Sequence, residues 1–149
     1  MKRIVTWVVI ADGQRARILA NEGPGKGLQL VPGGELEGDD RQGRDIQADR
    51  PGRTFDSAGQ GRHAKEPHTD PRQVVEEAFL RRVLDHVAAA ANRNAFERLV
   101  LVAEPRALGF LRKHLTTPLK QKLAADLPKD LTKVALADLG GHLEPVLRV

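Results

Sequence analysis

The residues best suited to chemistry lie in a basic, glycine-containing stretch near the middle of the chain. Between residues 41 and 65 there are six basic and three acidic side chains, a local charge of +3. Arginine guanidinium groups form paired hydrogen bonds with phosphate oxygens, so this composition favours contact with RNA. The residues expected to make that contact are Arg41, Arg44, Arg50, Arg53, Arg62, His63 and Lys65. The alternative is a loop that its mixed charges keep solvated, with no partner.

Other kinds of site find little support in the sequence. The chain has no cysteine, which excludes disulfides, thiol catalysis and cysteine-ligated zinc. The four-residue gap between His63 and His68 is not specific for a metal, so no metal and no other cofactor is expected. A two-metal nuclease needs several converging carboxylates, and the strands place no acidic partner beside Asp12.

The length and charge of the chain indicate its domain number and the kind of partner it suits. The 149 residues suit a single domain, 1–149, with a long polar loop at 38–70. The net charge of +4 is a modest basic excess that suits a phosphate-bearing partner. Met1-Lys2-Arg3 before the apolar run Ile4–Ala11 superficially resembles a signal peptide. That run is short and leads straight into a turn, so we expect a cytoplasmic protein without a membrane segment.

Three strands joined as a meander are predicted before the loop. Residues 4–11 are β-branched and almost continuously apolar, which is typical of a strand buried on both faces. Asp12-Gly13 predicts a two-residue hairpin turn, since both residues tolerate a positive φ. Residues 14–20 alternate between apolar and basic positions. A third strand begins at Leu28, and Pro32-Gly33-Gly34 predict a bulge if it continues to Leu36.

Helices and two more strands are predicted after the loop. Asp70 as N-cap, Pro71 and Gln73 predict the start of a helix that runs to about Asn94. The elements expected next are a buried strand at 99–103, helices from Pro105 and from Thr117 to Ala124, an edge strand at Leu127–Leu131 and a last helix from Leu136. This order predicts an α/β fold, in which a three-strand meander and strand–helix units form one mixed sheet with helices packed on it. The edge strand is a candidate contact for a homo-oligomer.

Three segments resemble the bacterial host-attachment protein family. They are Trp7–Ile18, Leu99–Arg106 with Leu108–Leu111, and Lys129–Lys133. Gly52-Arg53 and Gly61–His63 fall where that family has its basic loop. The family is similar to the middle domain of archaeo-eukaryotic class I release factors. The resemblance therefore implies a ribonuclease H-like mixed sheet and a role connected with translation.

The same resemblance nominates two catalytic residues. Release factors of this type carry a Gly-Gly-Gln tripeptide on a loop before a long helix, where the glutamine positions water against the peptidyl-tRNA ester. Gly59 and Gln60 align with the last two residues of that tripeptide, and Ala58 replaces the first glycine. An alanine there restricts the backbone, because a positive φ costs a residue with a Cβ about 1–2 kcal/mol.

The sequence leaves three functions open. The favoured one is binding to RNA or the ribosome in a translation-linked or stress role, without catalysis. The second is ribosome-dependent hydrolysis of the peptidyl-tRNA ester through the Ala58-Gly59-Gln60 loop. The third is a protein-interaction module that attachment to host cells needs only indirectly.

Overall fold

The computed structural model describes residues 3–38 and 70–149. Within them lie five strands: β1 (Thr6–Ala11), β2 (Arg15–Asn21), β3 (Gln29–Glu37), β4 (Arg98–Ala103) and β5 (Leu123–Leu127). The same residues form four helices: α1 (Pro71–Asn92), α2 (Pro105–Lys113), α3 (Thr117–Lys122) and α4 (Leu136–Leu143).

The strands form one mixed sheet in the order β3-β2-β1-β4-β5. β2 is antiparallel to both β1 and β3, whereas β4 is parallel to both β1 and β5. This confirms the predicted meander with strand–helix units attached. Because β1, β4 and β5 run in the same direction, their last residues lie at one edge of the sheet, which we call the carboxyl edge. The opposite edge is the amino edge.

Helices cover both faces of the sheet. Alternate residues of β1 enter different cores: Trp7 and Val9 pack under α1, α2 and α3, whereas Val8 and Ile10 pack under α4. The almost unbroken apolar run of β1 follows from this arrangement, since neither face of the strand meets water. The carboxyl edge therefore lies between helices packed on both faces of the sheet.

The register of β3 confirms the predicted bulge. β3 continues past Pro32-Gly33-Gly34 to Glu37, and its pairing with β2 shifts between Arg17 and Leu19. A Cβ at Gly34 would lie 2.6 Å from the Ile18 carbonyl oxygen, so the two backbones can approach this closely only at a glycine.

Helix α1 starts where the sequence predicts. The Asp70 carboxylate accepts a hydrogen bond from the Arg72 amide at 2.9 Å, and Pro71 occupies the first helical turn. Gln73 does not complete a capping box. Its side chain instead donates to Glu77 (3.1 Å) and accepts from Arg106 of α2 (3.3 Å), so it joins two helices.

The turn between β1 and β2 forms by a different mechanism from the predicted one. Neither Asp12 nor Gly13 has a positive φ. Asp12 Oδ1 instead accepts hydrogen bonds from the amides of Gln14 (2.7 Å) and Arg15 (2.8 Å). Glycine is needed at position 13 for another reason, because a Cβ there would lie 2.5 Å from Cγ of Glu76 on α1.

The prediction of an edge strand at Leu127–Leu131 is wrong. β5 is an outermost strand of the sheet, as predicted, but it spans Leu123–Leu127 and follows α3 directly. Pro128 has no amide hydrogen for the ladder, so the strand ends before it. α3 accordingly ends at Lys122 rather than at Ala124.

None of the helices in residues 3–38 and 70–149 combines the length and the apolar character needed to cross a lipid bilayer.

Candidate functional site

The sequence-predicted site residues lie outside the described residues. This applies to the candidate catalytic pair Gly59 and Gln60 and to all seven candidate RNA contacts: Arg41, Arg44, Arg50, Arg53, Arg62, His63 and Lys65.

The residues that flank this segment are described, and both lie at the carboxyl edge. The Gly38 amide donates to the Gln14 carbonyl at 2.6 Å, in the turn after β1. Asp70 caps the start of α1. Glu76, in the second helical turn of α1, packs on Gly13 of the β1–β2 turn. Arg82 of α1 also donates to the Glu37 carbonyl at 3.1 Å, which ties the helix to the end of β3.

A groove of about 350 Å³ opens at this edge beside Gly38. Its walls are the start of β2, the end of β3 and the chain that follows β5. The charged and polar side chains lining it are Arg15, Arg17, Glu35, Glu37, Thr132 and Lys133. Cations and anions are thus both present, and Arg15 and Lys133 are the exposed cations.

Arg17 holds one wall of the groove in position. Its Nη1 donates to the carbonyl oxygens of Val134 (2.6 Å), Leu131 (3.2 Å) and Thr132 (3.4 Å). Arg17 belongs to β2, whereas the three carbonyls follow β5 at the other side of the sheet. The guanidinium therefore holds residues 131–134 against the carboxyl edge, where they form one wall of the groove.

Thr132 connects two carboxylates beneath the groove. The residue is 5% exposed. Its hydroxyl oxygen lies 2.6 Å from Asp130 Oδ1 and 3.3 Å from Asp12 Oδ2. The hydroxyl has one proton, so it donates to Asp130 across the shorter distance. Asp12 also caps the β1–β2 turn, so this close contact places the chain after β5 against the turn after β1.

The charge of Asp130 is fixed by these contacts. The hydrogen bond from the Thr132 hydroxyl lowers the pKa of Asp130, and partial burial opposes this effect. The Thr132 amide, Lys133 and Arg15 lower it further. Asp130 is consequently a carboxylate at neutral pH and has no proton to donate as a general acid. Among the described residues, no three His, Asp or Glu side chains are grouped to hold a metal ion.

α2 and α3 carry further cations, outside the residues that the sequence predicts as a site. Residues 105–122 contain five Lys and Arg residues and no Asp or Glu. This acid-free run was visible in the sequence. Helices are recognised in a sequence by the spacing of their apolar residues, so the absence of acids on the polar side does not stand out.

The three segments that resemble the host-attachment family converge on the carboxyl edge. Trp7–Ile18 forms β1, the turn and the start of β2, and Leu99–Leu111 forms β4 and most of α2. Lys129–Lys133 follows β5 and contacts the first segment through Thr132 and Asp12.

Residues 7–143 match the family described as "Protein required for attachment to host cells". The chain belongs to this family. The match includes β1, the turn at Asp12 and the chain after β5, and so covers the whole carboxyl edge. The description names a biological requirement and specifies no chemistry.

The chain is also similar to individual proteins of known sequence or structure. The chain is 33% identical over 70 residues to the Uncharacterized protein RP470 of Rickettsia prowazekii (strain Madrid E), a match that covers 46% of this chain and 47% of that protein. Among solved structures, it is similar to an archaeal translation termination factor, aRF1, with a TM-score of 0.50, 15% identity and coverage of 95% of this chain. A second solved chain, called an archaeal protein, gives a TM-score of 0.49 at 15% identity, covering 97% of this chain and 35% of its own length.

The likeness to aRF1 confirms the release-factor-like fold. The chain spans only 38% of the archaeal factor and under half of the Rickettsia protein. The activity and partners of the whole factor are therefore not carried over with the fold.

Proposed function

We propose that this host-attachment-family protein binds RNA, with the ribosome as its principal partner, in a translation-linked or stress role without catalysis of its own. The observation that supports this most directly is the place where the basic segment is attached. Both flanking residues, Gly38 and Asp70, lie at the carboxyl edge, beside a groove lined by the exposed cations Arg15 and Lys133 and the exposed acids Glu35 and Glu37. The basic segment is thus joined to the described residues at an edge where two further cations are open to a phosphate chain.

The fold suggests where such a protein works. The archaeal neighbour is, by its name, a translation termination factor, and its similarity covers 95% of this chain. We propose that this chain shares the ribosome as its place of action. Attachment to host cells would then depend on the protein through its effect on translation.

Hydrolysis of peptidyl-tRNA is the alternative. In its favour, Gly59 and Gln60 precede the long helix α1, as the tripeptide of release factors precedes theirs. Against it, Ala58 stands where the tripeptide has its first glycine, and an alanine narrows the accessible backbone conformations. We propose that the segment binds without hydrolysing the ester.

The test combines co-sedimentation with bacterial ribosomes and release of a labelled peptidyl-tRNA ester on those ribosomes. Wild type and Gln60→Ala are compared. The proposal predicts that both proteins sediment with ribosomes at low salt and that neither releases the ester. Release by wild type that Gln60→Ala loses would establish the hydrolase. Failure of wild type to sediment at low salt would contradict RNA binding and leave a protein-interaction role.

A further inference from the structure

We propose that the exposed face of α2 is a second docking surface, which receives the phosphate backbone of RNA with Gly109 at the point of closest approach. The inference takes its RNA partner from the proposed function. It adds a contact surface in the described part of the molecule, separate from the segment 39–69.

The exposed charges that α2 itself contributes to this face are all positive. The exposed residues of α2 are Pro105, Arg106, Gly109, Arg112 and Lys113. None of them is acidic, and none is a large aliphatic or aromatic residue. The buried centre of a protein–protein interface is apolar and poor in charge. A surface that offers cations and no apolar anchor fits a polyanion better than a protein.

Helix stability explains only part of this charge. Arg112 and Lys113 lie in the last turn of α2, where cations compensate the helix dipole. Arg112 also forms an ion pair with Asp126 of β5 at 3.1 Å. Arg106 lies in the first turn, where the dipole disfavours a cation. Arg106 shares a small pocket with Glu76, Glu77 and Glu104, and these acids offset part of its charge.

Gly109 is the second, independent observation. It lies in the middle of α2, where glycine destabilises a helix relative to alanine. Its φ is not positive, and a Cβ at this position would meet no atom within 4 Å. Neither the backbone nor the packing within the described residues therefore requires glycine here.

The side chains beside Gly109 indicate which kind of ligand could approach the exposed backbone there. Arg106 precedes it by three residues, and Arg112 and Lys113 follow by three and four, so all of them share its side of the helix. The result is a patch of accessible backbone ringed by cations. A phosphate chain can approach such a patch closely, and any larger side chain at 109 would keep it away.

The α2 face is continuous with the carboxyl edge. The Arg106 guanidinium donates to Gln73, in the first turn of α1, at 3.3 Å. The Arg81 guanidinium of α1 lies 5.3 Å from the centre of the Phe110 ring, which adds a cation beside the face. One RNA can thus reach both the α2 face and the start of α1 at Asp70.

The first experiment removes charge. Arg106→Gln with Lys113→Gln is compared with Arg93→Gln plus Arg98→Gln, which removes two exposed cations at the amino edge. The probes are bacterial ribosomes and a short labelled RNA duplex, titrated over a range of salt. The inference predicts that the α2 pair weakens binding about tenfold or more and lowers the slope of log K against log salt by about 2. The amino-edge pair should change either quantity much less.

The second experiment keeps all charges and covers the bare backbone. Gly109→Gln is compared with Gly141→Gln, which alters a helix glycine of α4 that likewise has open space around a Cβ. Gly109→Gln should weaken binding about tenfold with an unchanged salt slope, since the same cations remain. Circular dichroism checks that both variants are folded.

The outcomes separate this inference from the proposed function. If wild type binds RNA and both charge pairs weaken it equally, the α2 face is refuted and RNA binding stands. The same holds if Gly109→Gln binds as wild type does. If the α2 variants lose ribosomes but keep the RNA duplex, the occupant is a ribosomal protein and the inference is wrong. If wild type binds neither probe, both proposals fall.

Discussion

Thr132 and Arg17 together hold the chain after β5 at the carboxyl edge. The Thr132 hydroxyl lies between Asp130 and Asp12, and Thr132 is itself buried. The sequence could not reveal this role, because Asp12 and Thr132 are 120 residues apart and meet only in the folded sheet. The neighbouring Arg17 contacts were hidden for the same reason.

Replacing Thr132 by valine keeps its shape and its amide hydrogen bond to Asp130 (3.0 Å) but removes the hydrogen bond of the hydroxyl. The expected loss in the free energy of unfolding is about 0.5–1.5 kcal/mol, because one hydrogen bond is lost while the exposed Asp130 carboxylate stays open to water. Urea unfolding measures it, with Thr117→Val, at an exposed position of α3, as the matched control. A Thr132→Val protein as stable as the control would show that the network does not support the fold.

The stability contributed by Asp130 should depend on pH. Its pKa is lower in the folded chain than in the unfolded one, so its ionised form stabilises the fold. This contribution is complete above the ordinary aspartate pKa of about 3.9 and is lost as the pH falls below that value. Asp130→Asn should therefore lower the urea midpoint at neutral pH and approach wild type in acid. A difference that stayed constant into acid would contradict the assignment.

At the scale of elements, periodicity in the sequence predicted most of the fold. β1, β2, β4 and the helices have apolar residues at the spacing their burial demands, and their positions were confirmed within a few residues. The errors have local causes. β5 was predicted too far along the chain, because so short a strand shows no clear alternation of apolar and polar residues. The capping box at Gln73 does not form, because the Gln73 side chain bonds to Arg106 of another helix.

Two glycines distinguish what packing requires from what it does not. Gly13→Ala should lower the free energy of unfolding by about 1–3 kcal/mol, because its Cβ would overlap Glu76 of α1. Gly109→Ala should raise it by about 0.5–1 kcal/mol, since alanine is the better helix former and the site is open. Urea unfolding of both variants tests the pair. Destabilisation by Gly109→Ala would mean that the fold itself needs this glycine.

At the scale of the whole molecule, the basic segment joins the described residues at the carboxyl edge, where cations and acids both lie. The segment carries a charge of +3 between residues 41 and 65, and α2, which begins at the same edge, exposes Arg106, Arg112 and Lys113. The sequence predicted the first of these sets and the resemblance supplied a role for it. The fold adds that α2 begins beside the first turn of α1, next to Asp70, where the segment ends.

The most direct test of RNA binding is a salt titration of ribosome binding by wild type and by the triple variant Arg44→Gln, Arg53→Gln, Arg62→Gln. The matched control is Lys26→Gln, Arg93→Gln, Arg98→Gln, which removes three exposed cations at the amino edge. We expect the first variant to bind at least about tenfold more weakly, with a salt slope lower by up to about 3, and the control to resemble wild type. Equal binding by both variants would contradict the proposed role of the basic segment.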